Sequence, residues 1–64
     1  MARVETNTRR IVARLESEGR VNRGGGRHDG FVHPDRPTIL IVVPRQKEQS
    51  RGVARSIAQD AGWK

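Results

Sequence analysis

Asp29-Gly30-Phe31-Val32-His33-Pro34-Asp35-Arg36-Pro37-Thr38-Ile39-Leu40-Ile41-Val42-Val43 is the stretch on which the fold turns. Asp29 to His33 reads as a strand, and Pro34-Asp35-Arg36-Pro37 carries the turn chemistry that reverses the chain. Ile39 to Val43 is apolar at every position, so it offers hydrophobic side chains to both faces of a sheet. The two strands, at about 29–33 and about 39–43, form a hairpin whose second member needs cover on each side. Two helices can cover one face of a small sheet. Leu40 and Val42 are then wrapped by loops, left for another chain, or simply exposed, as small proteins tolerate.

Working outward, Ile11, Val12 and Leu15 recur at the spacing of one helical face and predict a helix over about 7–18. Thr6 or Asn7 can cap its start, and Gly19 can end it in a left-handed conformation. Arg9, Arg10 and Arg14 fall on or beside the opposite, solvated face. A short strand over about 20–23, around Val21, precedes Gly24-Gly25-Gly26. That run matches neither the Walker loop nor the dinucleotide fingerprint, so it reads as a turn before it reads as a phosphate cradle. On the other side of the hairpin, Pro44 ends the strand and 45–50 is polar. Val53, Ala54, Ile57, Ala58 and Ala61 then form a narrow apolar stripe, predicting a helix over about 52–61. Ser50 is a suitable cap and Gly62 a natural stop, with Trp63 folding back on the helix end or the sheet. The predicted architecture is α+β, helix-strand-strand-strand-helix, a double-stranded-RNA-binding-like fold. Its three-stranded antiparallel sheet carries two helices on one face, and residues 1–64 are read as one domain.

Composition narrows the function. Sixty-four residues bury only a modest core, so a deep substrate pocket is not expected. The absence of cysteine removes disulfides and thiolate metal sites and suits a reducing cytosol. The polar start of the chain lacks the apolar segment of a secretory signal, and Ile39 to Val43 is far too short to span a bilayer. The expected location is therefore the cytoplasm, with no membrane partner. Thirteen basic residues against seven acidic ones leave a formal charge of +6, and arginine dominates the basic set. Its planar guanidinium suits phosphate and exposed bases, so a nucleic acid or an acidic protein is the natural partner, unless the arginines only record a GC-rich coding bias.

His28 and His33 are the two histidines, and His28 directly follows the glycine run in Gly24-Gly25-Gly26-Arg27-His28-Asp29. An imidazole at such a junction can take a proton from a ribose 2′-hydroxyl while arginines stabilise charge building on the phosphate. RNA supplies its own nucleophile, so neither metal nor cofactor is expected. The competing assignment for His28 is a residue that caps or pairs within the turn.

The pieces from Gly25 to Gly62 resemble the HicA toxin family. They are Gly25-Gly26-Arg27-His28-Asp29, Phe31-Val32-His33-Pro34, Val43-Pro44-Arg45, Arg51-Gly52-Val53-Ala54-Arg55-Ser56-Ile57 and Ala61-Gly62. Thr8 to Gly19 is similar to the family's opening helix and its closing glycine. The resemblance covers more than half the chain, in the family's order. It implies an mRNA interferase of the double-stranded-RNA-binding-like fold, held inactive by a HicB-type antitoxin. It places the catalytic histidine on His28 and the motif glycine on Gly26, with Arg27 between them, and makes His33 a turn or surface residue. Arg23, Arg27 and Arg45 are candidates for phosphate contacts by position.

The sequence departs from the family pattern at three places. Gln46 stands where many relatives carry a further histidine, Gly30 where a bulky apolar residue is usual, and Arg20 where tryptophan is frequent. Glycine inside a strand weakens it, since packing and chain entropy are lost. These departures carry the alternatives: a non-catalytic RNA-binding module, or a divergent, inactive toxin acting through protein interaction.

Overall fold

A computed structural model describes residues 3–24 and 26–63. The elements are α1 (Thr8–Ser17), β1 (Val21–Asn22), β2 (His28–His33), β3 (Arg36–Pro44) and α2 (Arg51–Ala61). The strands lie in the order β1-β2-β3, each antiparallel to its neighbour. The expected α+β architecture of helix, three-stranded antiparallel sheet and helix is the one found.

Each helix starts on a side-chain oxygen that satisfies an otherwise orphaned amide. Asn7 Oδ1 accepts from Arg10 N at 3.0 Å, and Ser50 Oγ accepts from Val53 N at 3.2 Å. Gly62 terminates α2 at φ 78°, a left-handed conformation that costs glycine little. Ile11 and Leu15 of α1 and Ala54 and Ile57 of α2 are the buried positions of the two helices. They meet Phe31, Ile41 and Val43, which alternation and the Phe31–Ile41 and Asp29–Val43 pairings place on one sheet face. Both helices thus cover the same side. Leu40 and Val42 point the other way and are 55% and 45% exposed, so no loop among the described residues wraps them.

Three boundaries differ from expectation. β1 is Val21–Asn22 alone; Arg23 N still donates to Gly30 O, and Asn22 Oδ1, accepting from Gly24 N at 2.9 Å, turns the chain just beyond. Arg20, expected at the start of this strand, is buried instead, with its backbone N–H on Leu15 O. The hairpin turn is only Pro34-Asp35, and β3 begins at Arg36 rather than near Ile39. Register shifts there: Val32 pairs with Leu40, but His33 pairs with Arg36. Pro37, with no N–H to donate, sits in the resulting bulge on an edge strand, where its loss to the ladder is smallest.

Candidate active site around His28

His28 is the first residue of β2 and pairs with Pro44, the last of β3. It alternates in phase with Gly30 and Val32, so its side chain lies on the open sheet face, away from the helices. It is exposed, and among the described residues no hydrogen bond or ion pair engages its ring.

The chain preceding His28 is held by backbone contact. Arg23 N donates to Gly30 O at 2.6 Å, and Gly24 lies so tightly against the backbone of His28 to Gly30 that a Cβ there would overlap Gly30 N. Gly30 in turn is buried, and a Cβ on it would press the Leu40 Cδ1 atom at 3.0 Å. The glycine expected to weaken β2 is thus the one that lets Leu40 close on the strand, while Gly24 approaches through its own lack of a side chain. Gly25 lies outside the described residues. Gly26 adopts φ 66°, which an L side chain rarely takes, and delivers the exposed Arg27 next to His28.

Arg45 reaches this end of the sheet from the residue after Pro44, but it is engaged. Its Nε and Nη2 donate to Asp29 Oδ1 at 3.2 and 3.0 Å, while Asn22 Nδ2 donates to the same oxygen at 3.0 Å. The Asn22 hydrogen bond first, and then that from Arg45, hold the Asp29 carboxyl below its ordinary range. Asp29 therefore ties β1, β2 and the chain beyond β3 into one corner, with Arg45 fixed in direction and still about half exposed. Arg23 and Arg27 make no ion pair among the described residues. The structure brings His28, Arg27 and Arg45 to one end of the sheet; it shows no direct bond between them.

His33 closes the other end of β2 and is committed. Its Nδ1 accepts from Asp35 N at 3.0 Å and its Nε2 lies 3.1 Å from Glu18 O. One tautomer satisfies both contacts, with the proton on Nε2. His33 thus pins the hairpin turn to the end of α1, the turn role expected of it. Trp63 folds back as expected: Nε1 donates to Glu18 Oε2 at 2.7 Å, and Arg14 stacks on its ring at 4.3 Å.

Two residues of this framework had no signal in the periodicity of the sequence. Gln49, in a polar stretch, is buried, its Nε2 donating to Thr8 Oγ1 at 2.8 Å and Pro44 O at 2.7 Å. It joins α1 to the end of β3. Arg20 is 7% exposed beside Glu18, its Nε 3.6 Å from the carboxylate, and no partner satisfies Nε or Nη1 by hydrogen-bond geometry. No helix among the described residues is long and apolar enough to cross a membrane.

No curated protein matches the chain significantly. A family model described as the HicA toxin of bacterial toxin-antitoxin matches residues 8–63, from the first residue of α1 through Trp63, and so takes in the strands, the His28 turn and α2. Covering nearly the whole chain, that match joins the fold and the His28 segment to one family: the chain belongs to the HicA toxins of bacterial toxin–antitoxin systems.

Proposed function

We propose that this toxin is an endoribonuclease that cleaves mRNA without a metal, with His28 as its catalytic residue. The observation that carries the reading is the free, exposed His28 ring at the β2 start, beside Arg27 and level with the Arg45 corner. In the forward step the His28 imidazole takes the proton of a ribose 2′-hydroxyl, whose oxygen bonds to the adjacent phosphorus. The P–O5′ bond breaks, and the imidazolium returns its proton to the leaving 5′-oxygen. The products are a 2′,3′-cyclic phosphate and a 5′-hydroxyl, and no electrons change hands. Arg23, Arg27 and Arg45 neutralise charge on the phosphate oxygens, and Gly26, left-handed and with open space where a side chain would stand, leaves the backbone before His28 accessible to RNA.

The partner in this reading is a HicB-type antitoxin acting in the same cytoplasm. By covering His28 and neutralising the nearby arginines it removes both the base and its access to phosphate, and the exposed Leu40 and Val42 give it an apolar hold. A second reading, a relative that binds RNA or antitoxin without cutting, is favoured by Gln46, which brings an uncharged amide where a second proton-transfer group is usual.

The test is cleavage of a mixed RNA by the purified chain in EDTA, beside a folded His28→Ala chain whose RNA affinity is also measured. Cutting by wild type with binding but no cutting by the variant supports the interferase. Equal binding with no cutting by either supports the second reading.

A further inference from the structure

A groove of about 880 Å³ runs between α1 and the chain that follows β3, on the helix side of the same sheet end that carries His28. The volume lies within the roughly 300–1,000 Å³ typical of ligand sites. Val12 and Ala13 give it apolar surface, and Arg9, Arg45, Gln46 and Lys47 line it as well. The walls are fixed to each other. Thr8 N donates to Lys47 O at 3.0 Å, Gln49 N to Thr6 O at 2.8 Å, and the buried Gln49 side chain clamps Thr8 to Pro44.

We propose that this groove is a binding subsite for the single-stranded RNA flanking the cleaved bond, with Arg9 and Lys47 on its phosphates. The inference rests on the RNA-cleaving reading of His28 and extends it to residues that neither the family motif nor the His28 turn points to. Four observations converge. Arg9 and Lys47 are exposed cations that no acid pairs among the described residues. They line one groove from separate elements, as a backbone-tracking site requires. The amino end of the ten-residue α1 lines the same groove and adds a weak positive field, its Thr8 and Arg10 amides being already taken by Lys47 O and Asn7 Oδ1. Finally, Arg45 lines the groove while bonded to Asp29, the neighbour of His28, so strand β2 and the groove share a wall.

The two acids of the lining define which part is used. Glu48 keeps its negative charge but is held toward Thr6, its Oε2 accepting from Thr6 Oγ1 at 2.7 Å. Glu16 lies seven residues, about two helical turns, beyond Arg9. The RNA therefore occupies the Arg9–Lys47 half and stops short of Glu16. With no aromatic residue in the lining, the subsite grips backbone and sugar and tolerates any base.

The experiment titrates the wild-type chain with a fluorescent 12-nucleotide 2′-O-methyl RNA, which has no 2′-hydroxyl to react, across a salt series. Arg9→Ala and Lys47→Ala are compared with Arg55→Ala, which removes the same charge from the exposed side of α2 outside the groove. Each groove variant is expected to weaken binding about 5- to 10-fold more than the control and to lower the slope of log affinity against log salt by about 0.7–1. On cleavable RNA the same variants should raise KM and keep kcat. If wild type binds and the groove variants behave like Arg55→Ala, or if wild type does not bind at low salt, the subsite is wrong. If wild type binds with this dependence on Arg9 and Lys47 but never cuts, the subsite stands and the nuclease reading falls. Unchanged RNA affinity in variants that lose an acidic protein partner would assign the groove to protein docking and overturn the proposal.

Discussion

The two ends of β2 carry the same residue type and could hardly differ more. His33 is held at both nitrogens by main-chain groups of the turn and of α1, whereas His28, five residues away, touches no partner among the described residues. A histidine that satisfies the fold has no lone pair or proton to spare for chemistry, and one that the fold leaves open does. The ends also differ in their surrounding charges. Glu18 gathers Arg14, Arg20 and Trp63 at the His33 end, while Arg23 and Arg27 beside His28 form no ion pair among the described residues. Structure has been spent at one end of the strand and reactivity kept at the other.

The sharpest break of this contrast is His28→Ala. RNA cleavage should fall at least 100-fold, in line with the roughly 10²–10⁴ attributed to general acid–base catalysis. The urea-unfolding free energy should move by less than about 0.5 kcal/mol, since the side chain is exposed and unbonded. A loss of stability comparable to the loss of activity would mean that His28 serves the fold after all.

Phe31, fully buried midway between the two histidines, sets the scale for a purely structural change. Phe31→Ala should cost about 3–5 kcal/mol by removing a side chain packed under both helices. For a domain this small that approaches total unfolding, read as loss of the cooperative thermal transition. Retention of a sharp transition near the wild-type temperature would place the core elsewhere.

His33→Ala should give the inverse of the His28 result. Two hydrogen bonds are lost, for about 1–2 kcal/mol in urea melts, while cleavage at a temperature where the variant is folded stays within a few-fold of wild type. A collapse of kcat in the folded variant would make His33 part of the chemistry and erase the distinction between the ends.

The smallest effect lies in acid. Because the folded Asp29 carboxyl is held below its ordinary value by Asn22 and Arg45, the unfolded chain takes up the proton first as pH falls. The stabilisation is complete above the ordinary carboxylate value of about 3.9 and is lost as pH drops through the lower folded value. The advantage of wild type over Asp29→Asn in thermal melts should therefore shrink only in that acid window. A constant difference across it would show that Asp29 contributes by shape rather than charge.

Much of the architecture was legible because it rests on local chemistry. Apolar spacing at Ile11 and Leu15, caps at Asn7 and Ser50, and the left-handed stop at Gly62 are decided within a turn or two of chain. The tighter hairpin was not, since the bulge at Pro37 depends on which partner each β3 residue meets. Gly30 shows the same limit from the other side. Its cost to a strand is a local property, but its compensation by Leu40 depends on the register in which β3 pairs with β2.

Sequence alone determined the order of the elements, the basic character of the surface and the candidate status of His28, because periodicity, net charge and a motif are read along one dimension. Only the tertiary structure decided that His33 is consumed by Glu18 and Asp35 while His28 is free. It alone bound Arg45 to Asp29, buried Gln49 between α1 and β3, and brought Arg9 and Lys47 to one groove. The bonds of His33 to Glu18, of Arg45 to Asp29 and of Gln49 to Thr8 join residues distant in sequence, which meet only when strands pair and helices close on the sheet.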